Sequence, residues 1–305
     1  MLNAQAADYK QPEFTLALTI TGVGVDVRLN DITIEFDMFS GHSTMNYDVN
    51  ESVIAGVNEL KVIAFPFFGK TQEEGQTKAY HGEAEVKATL YVNEQGDSNN
   101  KKLLSQIYFR PGLPLERAAS ETIPIEGVGE VVLDHKSQPL SFPVFAINQQ
   151  IVATRKSLPV QSSYSRWAWQ DGKFIEDTQE NYDSLLSTYR EIYEAYKIGD
   201  RKKLLTLHDH AADEFASAYY LKGGRNAGHA FMETGEMLDD ADSDLTKFRT
   251  KTNNKLDIYA DGKMARIINI AQYHPILFVD NTQGIVHTMK FGFYKNQQGE
   301  WIMIR

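Results

Sequence analysis

The stretch FTLALTITGVGVDVRLNDITIEF, from Phe14 to Phe36, alternates with a period of two. Phe14, Leu16, Leu18 and Ile20 fall on one side of an extended chain. Val25, Val27 and Leu29 repeat the pattern, and Ile32, Ile34 and Phe36 resume it after Asn30-Asp31. Successive side chains of a strand point to opposite faces, so the pattern predicts half-buried strands joined by tight turns. The same period recurs at Leu60, Val62 and Ala64 and at Ala84, Val86, Ala88, Leu90 and Val92. Further strands are expected over 131–133, 142–147 and 151–153. Many short strands with no helical period predict an all-β sandwich.

Near Trp169 the pattern changes. Of the nine prolines, eight fall at or before Pro159 and only Pro275 follows, which marks a shift of architecture because proline belongs to edges and loops. Tyr182, Leu185, Leu186, Tyr189, Ile192, Tyr193 and Tyr196 then form a helical stripe, with Asp177 and Glu180 as an expected capping pair and Gly199 as the stop. A second stripe runs from Leu204 through His208, Ala212 and Phe215 to Tyr219, opened by Asp200 and closed by Gly223-Gly224, and a short helix is expected over 228–238. Strands return over 256–259, 264–270, 276–279, 285–294 and 301–304. At 305 residues the chain exceeds the usual single-domain size. The expected organisation is a disordered tail over 1–12, a β-sandwich domain over 13–170 and an α+β domain over 171–305.

Two resemblances follow. Val27-x-Leu29-Asn30, Tyr47-Asp48-Val49-Asn50 and Gly56-x-Asn58-x-Leu60-x-Val62 resemble the immunoglobulin-like and galactose-binding-like sandwiches that serve as accessory modules in bacterial extracytoplasmic proteins. That likeness implies architecture and carries no ligand-contacting set. The second half places helices before antiparallel strands and ends in Phe293-Tyr294-Lys295-x-x-x-Gly299-x-Trp301-x-Met303. It resembles the nuclear-transport-factor-like (polyketide-cyclase-like, cystatin-like) cone fold, which implies helices packed on a curved antiparallel sheet with a pocket at its wide end. Members of that fold include enzymes, small-ligand binders and protein-interaction modules, so the fold alone leaves function open.

Composition excludes several functions. The net charge is −10, and neither half is basic: residues 1–170 carry 14 Lys and Arg against 20 Asp and Glu, and residues 171–305 carry 17 against 21. Nucleic-acid binding needs cations to replace condensed counterions, so neither DNA or RNA nor an anionic membrane surface is an expected partner, whereas a basic protein is electrostatically favoured. No apolar run of about 18 residues is present to span a membrane. Cysteine is absent, which removes disulfides, thiolate metal sites and cysteine nucleophiles together. Ala4-Gln5-Ala6-Ala7 has the small-x-small form of a signal-peptidase site, and this leans towards a periplasmic or other extracytoplasmic location while leaving a cytoplasmic one open.

Candidate motifs are tested against their chemistry. Gly69-Lys70-Thr71 lacks the first glycine of a phosphate loop, and Gly22-Val23-Gly24 leads into strands instead of the helix N-terminus that pyrophosphate needs. Asp240-x-Asp242-x-Asp244 opens like a calcium loop, but Leu245 and Lys251 stand where the glycine and bidentate glutamate belong, so a solvated acidic loop is expected. His208-Asp209-His210 has the wrong spacing for a helical metal site, which makes His208 a core residue and His210 an exposed one. No metal and no cofactor is expected. His287 shares a strand face with Ile285, Met289, Phe291 and Phe293; on a concave face it lines the pocket as a general base, and otherwise it is a hydrogen-bonded core histidine. Asp213 and Arg266 are its candidate pocket neighbours. Trp167 and Trp169, two apart in an extended segment, form either a domain junction or an exposed surface for a protein or sugar.

Two functional expectations result. The first is a non-catalytic protein-interaction protein of the bacterial envelope, for example an immunity-type protein that meets a basic toxin with its acidic surface. The second is a small-ligand-binding or hydrolytic cone domain, with His287, Asp213 and Arg266 converging in the pocket and the sandwich as accessory.

Overall fold

The computed structural model describes residues 9–37, 41–66, 83–110, 152–160, 166–250, 254–269 and 273–304. The strands expected over 131–133 and 142–147, Ala4 to Ala7, Gly69-Lys70-Thr71 and Lys251 lie outside these residues. The chain divides between Arg166 and Trp167 into two compact units, which puts both Trp167 and Trp169 in the second. The described residues are rich in sheet, with four antiparallel sheets and three α-helices, and none of the helices is long and apolar enough to cross a membrane.

The first unit contains β1 (Pro12–Thr21), β2 (Val23–Leu29), β3 (Ile32–Asp37), β4 (His42–Asp48), β5 (Gly56–Pro66), β6 (Glu85–Glu94), β7 (Lys102–Phe109) and β8 (Val152–Val160). They form two sheets, in the orders β4-β1-β6-β7 and β3-β2-β5-β8. Strand alternation sets the core. Phe14, Leu16, Leu18 and Ile20 of β1 lie directly opposite Val92, Leu90, Ala88 and Val86 of β6, and all eight are fully buried. Burying each of the larger of these side chains contributes roughly 1.5–3 kcal/mol. The first strand starts before residue 13: Glu94 accepts from the N–H groups of Lys10 and Gln11, so the tail expected through residue 12 is tied down at its end.

The second sheet departs from the half-buried expectation. In β5 not only Leu60, Val62 and Ala64 but also Lys61, Ile63 and Phe65 are buried, so both faces of this central strand are covered. The buried charges there are paired, although the Asp26 Oδ1 atom accepts no bond. Asp26 accepts from Arg28 at 2.6 Å, and Arg28 also reaches Asp31 at 3.0 Å. Gly24 sits opposite Phe65, and a Cβ at this position would lie 2.1 Å from the phenylalanine ring, so the glycine serves aromatic packing on a strand. Ile34 and Phe36 of β3 are only partly buried. Among the described residues β4 is an outermost strand; it alternates with polar residues outward, and its Tyr47 hydroxyl donates to Glu35 of β3, outermost in the other sheet. Neither β4 nor β7 has an apolar period strong enough to be read from sequence.

Three asparagines hold the turns of this unit. Asn30 and Asp31 both adopt positive φ, 53° and 61°, which gives the β2–β3 hairpin its tight turn. Asn30 donates to the side-chain oxygen of Asn58 at 2.7 Å, and Glu59 N–H donates back to Asn30. Asn58, fully buried, also accepts from Ile54 N–H and donates to the carbonyls of Ile54 and Gly56. Asn50 accepts from Phe14 N–H at 2.7 Å.

In the second unit the helices are α1 (Gln179–Ile198), α2 (Arg201–Ala218) and α3 (Arg225–Phe231). Thr178, not Asp177, caps α1 by accepting from Asn181 N–H, while Asp200 caps α2 as expected and Gly199 separates them. The expected helix over 228–238 is instead α3 followed by a 3-10 turn, Glu236–Leu238. The strands are β9 (Ser243–Leu245), β10 (Lys255–Tyr259), β11 (Met264–Ile268), β12 (Leu277–Asp280), β13 (Val286–Thr288), β14 (Phe293–Lys295) and β15 (Trp301–Met303). They fall in the orders β10-β11-β14-β15 and β13-β12-β9.

The register shows how these two sheets are related. Lys255 opposes Ile268 and Leu245 opposes Phe278, ten residues back on one arm against ten forward on the other, so β9 and β10 keep equal step with β12 and β11 at these two points. The next strand does not keep step. From Ala265 opposite Phe293 to Phe278 opposite His287, one arm advances thirteen residues while the neighbour retreats six. A seven-residue excess cannot be absorbed within a continuous ladder, and the sheet splits there. The single strand expected over 285–294 is consequently two, β13 and β14, one in each sheet. The core beneath combines Leu185, Tyr189, Ile192 and Tyr196 of α1 with Ala265, Ile267, Ile276, Phe278, Phe291, Phe293 and Met303.

Replacing Asn58 by Ala removes one donor pair and one acceptor from four buried contacts. The first unit should lose roughly 2–4 kcal/mol. Urea unfolding followed by far-ultraviolet circular dichroism would measure this.

Candidate functional site

The split in the sheet leaves backbone groups without strand partners, and two buried side chains take them. Tyr189 of α1 is fully buried and His274 is 3% exposed. The Tyr189 hydroxyl lies 2.9 Å from His274 Nδ1 and 3.3 Å from the Phe291 carbonyl, and it accepts from Ile267 N–H at 3.4 Å. Phe291 N–H points at the same Nδ1 at 3.5 Å, and His274 N–H donates to Thr288 Oγ1 at 3.0 Å. Because a backbone N–H can only donate, Nδ1 is the acceptor and carries no proton. Burial holds His274 well below the ordinary histidine range, reinforced by the charges of Arg266 and Lys290, and burial pushes the Tyr189 phenol up. His208, on the other side of the Phe291 ring, is also buried and lowered by burial, with Nδ1 donating to the Leu204 carbonyl at 2.7 Å. This centre performs the hydrogen-bonding work of a missing strand. Its polar atoms bond to backbone and to one another.

The three residues expected to converge in a pocket stand apart, each with partners of its own. Arg266 is directly opposite Asp257 in the β10–β11 ladder and donates to it at 2.8 Å, with its guanidinium 5.2 Å from the Tyr259 ring centre. Asp213 is exposed on α2 and accepts from both Nε and Nη2 of Arg225 of α3, which holds its carboxyl below the usual range. Asp209 bridges Arg225 and His229 beside it, so the pair fastens one helix to the next. His287 is exposed on β13 and is neither a core histidine nor buried among Phe291 and Phe293, because the strand breaks between them. Its charged neighbours are Asp240 and Asp280.

Both tryptophans are buried, which removes the exposed-surface alternative for them. Trp167 and Trp169 are 3% and 5% exposed, and the segment turns through a 3-10 helix, Ala168–Asp171, instead of running extended. Buried rings cannot offer a sugar platform, so the carbohydrate-binding reading is overturned. The chain after them is tied to the sheet hairpins of its own unit, with Lys173 N–H donating to the Lys295 carbonyl and Ile175 N–H to that of Gly262. His208 is the hydrogen-bonded core residue expected, whereas His210 is partly buried, 3.8 Å from Glu214. Among the described residues no group of three or more His, Asp and Glu is placed to hold a metal.

The most concentrated exposed chemistry lies elsewhere in the second unit. Between Glu233 and Asp244 the sequence carries Glu233, Glu236, Asp239, Asp240, Asp242 and Asp244 with no intervening cation, and all six are exposed. Pairing of β9 with β12 brings Asp244 opposite Val279, and Asn281 donates to the Asp244 carboxylate at 2.9 Å. Asp280 accepts from Thr282 and Gln283, which holds its carboxyl below the usual range and keeps it charged. The hydrogen bond and charge of Glu233 instead push the Glu236 carboxyl up. Ile285 and Val286, 47% and 38% exposed, follow Asp280 on the same hairpin.

Set against protein-family models, curated proteins and solved structures, the chain finds no match. The functional reading therefore rests on this chemistry. Sequence reasoning missed His274, although a lone histidine before Pro275 at the start of an apolar strand is a visible signal. Tyr189→Phe should cost the second unit roughly 1–3 kcal/mol by stranding buried groups, and His287→Ala at most about 0.5. Urea unfolding followed by tryptophan fluorescence would separate the two, because Trp167, Trp169 and Trp301 all lie in the second unit.

Proposed function

We propose that this chain is a non-catalytic protein-interaction protein whose binding face is the acidic stretch from Glu233 to Asp244 with Asp280, and whose partner is a basic protein. The observation that carries the reading is the run of six exposed carboxylates without a cation among them. Asp239 has Arg201 at 2.6 Å, whereas the hydrogen bond and charge of Glu233 raise the Glu236 carboxyl, so two carboxyl groups stand against each other in the free chain. A cationic surface would relieve this, and complementary charge steers encounter and fixes orientation. Ile285 and Val286 add an apolar contact beside the charge, the usual composition of a patch with a desolvated centre and polar rim.

The fold readings belong to the same proposal. The first unit, with two antiparallel four-stranded sheets whose strands β2 and β5 touch β6 and β7, suits an immunoglobulin-like or galactose-binding-like sandwich. The second, with α1 against β10 and β11 of a bent antiparallel sheet, suits the nuclear-transport-factor-like cone in its interaction-module use.

The test is capture from native lysate by the full chain and by a variant carrying Glu233→Gln, Glu236→Gln, Asp240→Asn, Asp242→Asn and Asp244→Asn. The expected outcome is a basic protein retained at low salt, released at high salt, and bound about tenfold or more weakly by the variant. Retention indifferent to both salt and neutralisation would sink the reading.

A further inference from the structure

The sheet split that Tyr189 and His274 close also makes the second unit sensitive to acid. We propose that His274 is an acid-sensitive latch: with Nδ1 unprotonated it holds the two halves of the second-unit sheet together, and proton uptake releases them.

The geometry gives the reason. The Tyr189 hydroxyl has one proton and sits between two acceptors, His274 Nδ1 at 2.9 Å and the Phe291 carbonyl at 3.3 Å. If Nδ1 gains a proton, that hydroxyl can turn to the carbonyl and accept from the imidazole. Phe291 N–H has no such recourse and is left pointing at a second N–H. A buried donor without an acceptor is destabilising, and a buried imidazolium without a counter-charge is more so.

The surrounding groups offer no relief. Tyr189 faces the imidazole from α1, Arg266 acts on it from β11 and Lys290 from the segment between β13 and β14, both cations opposing a new positive charge. The carboxylate of Asp257 on β10 is already bonded to Arg266, with Tyr259 under the same guanidinium. Thr288 of β13 holds the His274 backbone, and His208 of α2 lies beyond Phe291 as a second buried neutral imidazole. In the chain His274 stands between β11 of one half and β12 of the other, and it is bonded to Thr288 of β13 and to Phe291 just before β14.

The direction of the effect follows from linkage. A histidine kept neutral in the folded unit but free to protonate when unfolded contributes stability that is complete above about pH 6.5 and is lost as pH falls below it. A histidine that stays neutral while folded raises the unfolding equilibrium constant about tenfold per pH unit at the acid end of that range, which is the contribution of His274, and His208, lowered by burial, acts in the same direction. Carboxylates titrate lower, which leaves pH 5 to 6.5 as the informative window.

The experiment is urea unfolding of the full chain between pH 7.5 and 5, read by tryptophan fluorescence, which reports the second unit alone. The wild-type constant should rise about tenfold per unit more steeply at the acid end than that of His274→Asn, since the amide oxygen can replace Nδ1 as acceptor and does not titrate. Equal slopes for the two proteins would overturn the latch. Nuclear magnetic resonance titration of the wild-type imidazoles keeps the proposal testable if the variant does not fold. The His274 ring should stay neutral while the unit is folded, and a ring that titrates normally near pH 6.5 in the folded chain refutes it.

Discussion

An antiparallel ladder needs equal numbers of residues on both strands, and in the second unit a hairpin arm exceeds its neighbour by seven residues between two points of contact. Much of the unit follows from that inequality. The ladder opens, β13 and β14 part, and backbone groups of Ile267 and Phe291 are left in the interior. Buried backbone must be bonded, so the position facing the gap on α1 must bring a group that both donates and accepts. Tyr189 does this from within an otherwise apolar stripe, and the aromatic rings of Phe291 and Phe293 pack round it at 5.9 and 5.1 Å between centres. The helix is thereby fixed to the sheet by chemistry as well as by area.

The buried polar centre resembles an active site in composition: a tyrosine, two histidines, an arginine and an aspartate within one core. What separates it from one is the direction of its bonds. Each contact ends on backbone or on a partner that the fold itself supplies, and perturbed titration here reports interior structure. The carboxylates of 233–244 are exposed to solvent instead, and their partners, such as Arg201 for Asp239 and Asn281 for Asp244, are surface groups. Function is argued more safely from the second pattern than from the first.

Sequence showed the elements whose physics is local. The alternation of β1, β2 and β6, the stripe of α1, the Asp200 cap and the Asn30-Asp31 turn all depend on neighbours within a few positions, and each is visible in the structure. What sequence could not show depends on distant strands. His287 shares period-two parity with Phe291 and Phe293, but parity holds only while a strand is unbroken, and the break is set by residues of the preceding hairpin. Lys61 and Asp26 alternate as outward residues should, yet both are buried because their face of the sheet is covered. Of the candidate site, the exposed acidic loop could be read directly, whereas Arg266 and Asp213 could be named but not placed, since their partners Asp257 and Arg225 are cross-strand and cross-helix neighbours.

Tyr47 and Glu35 bear on a different hazard. Each belongs to an outermost strand among the described residues, β4 in one sheet and β3 in the other, and outermost strands expose the backbone groups on which foreign chains can align. A bond between them draws the two borders towards each other on that side of the unit, and the outward row of His42, Thr44, Asn46 and Asp48 keeps the rest of β4 hydrated. One phenol and one carboxylate therefore fasten together two borders that a foreign strand would otherwise find apart.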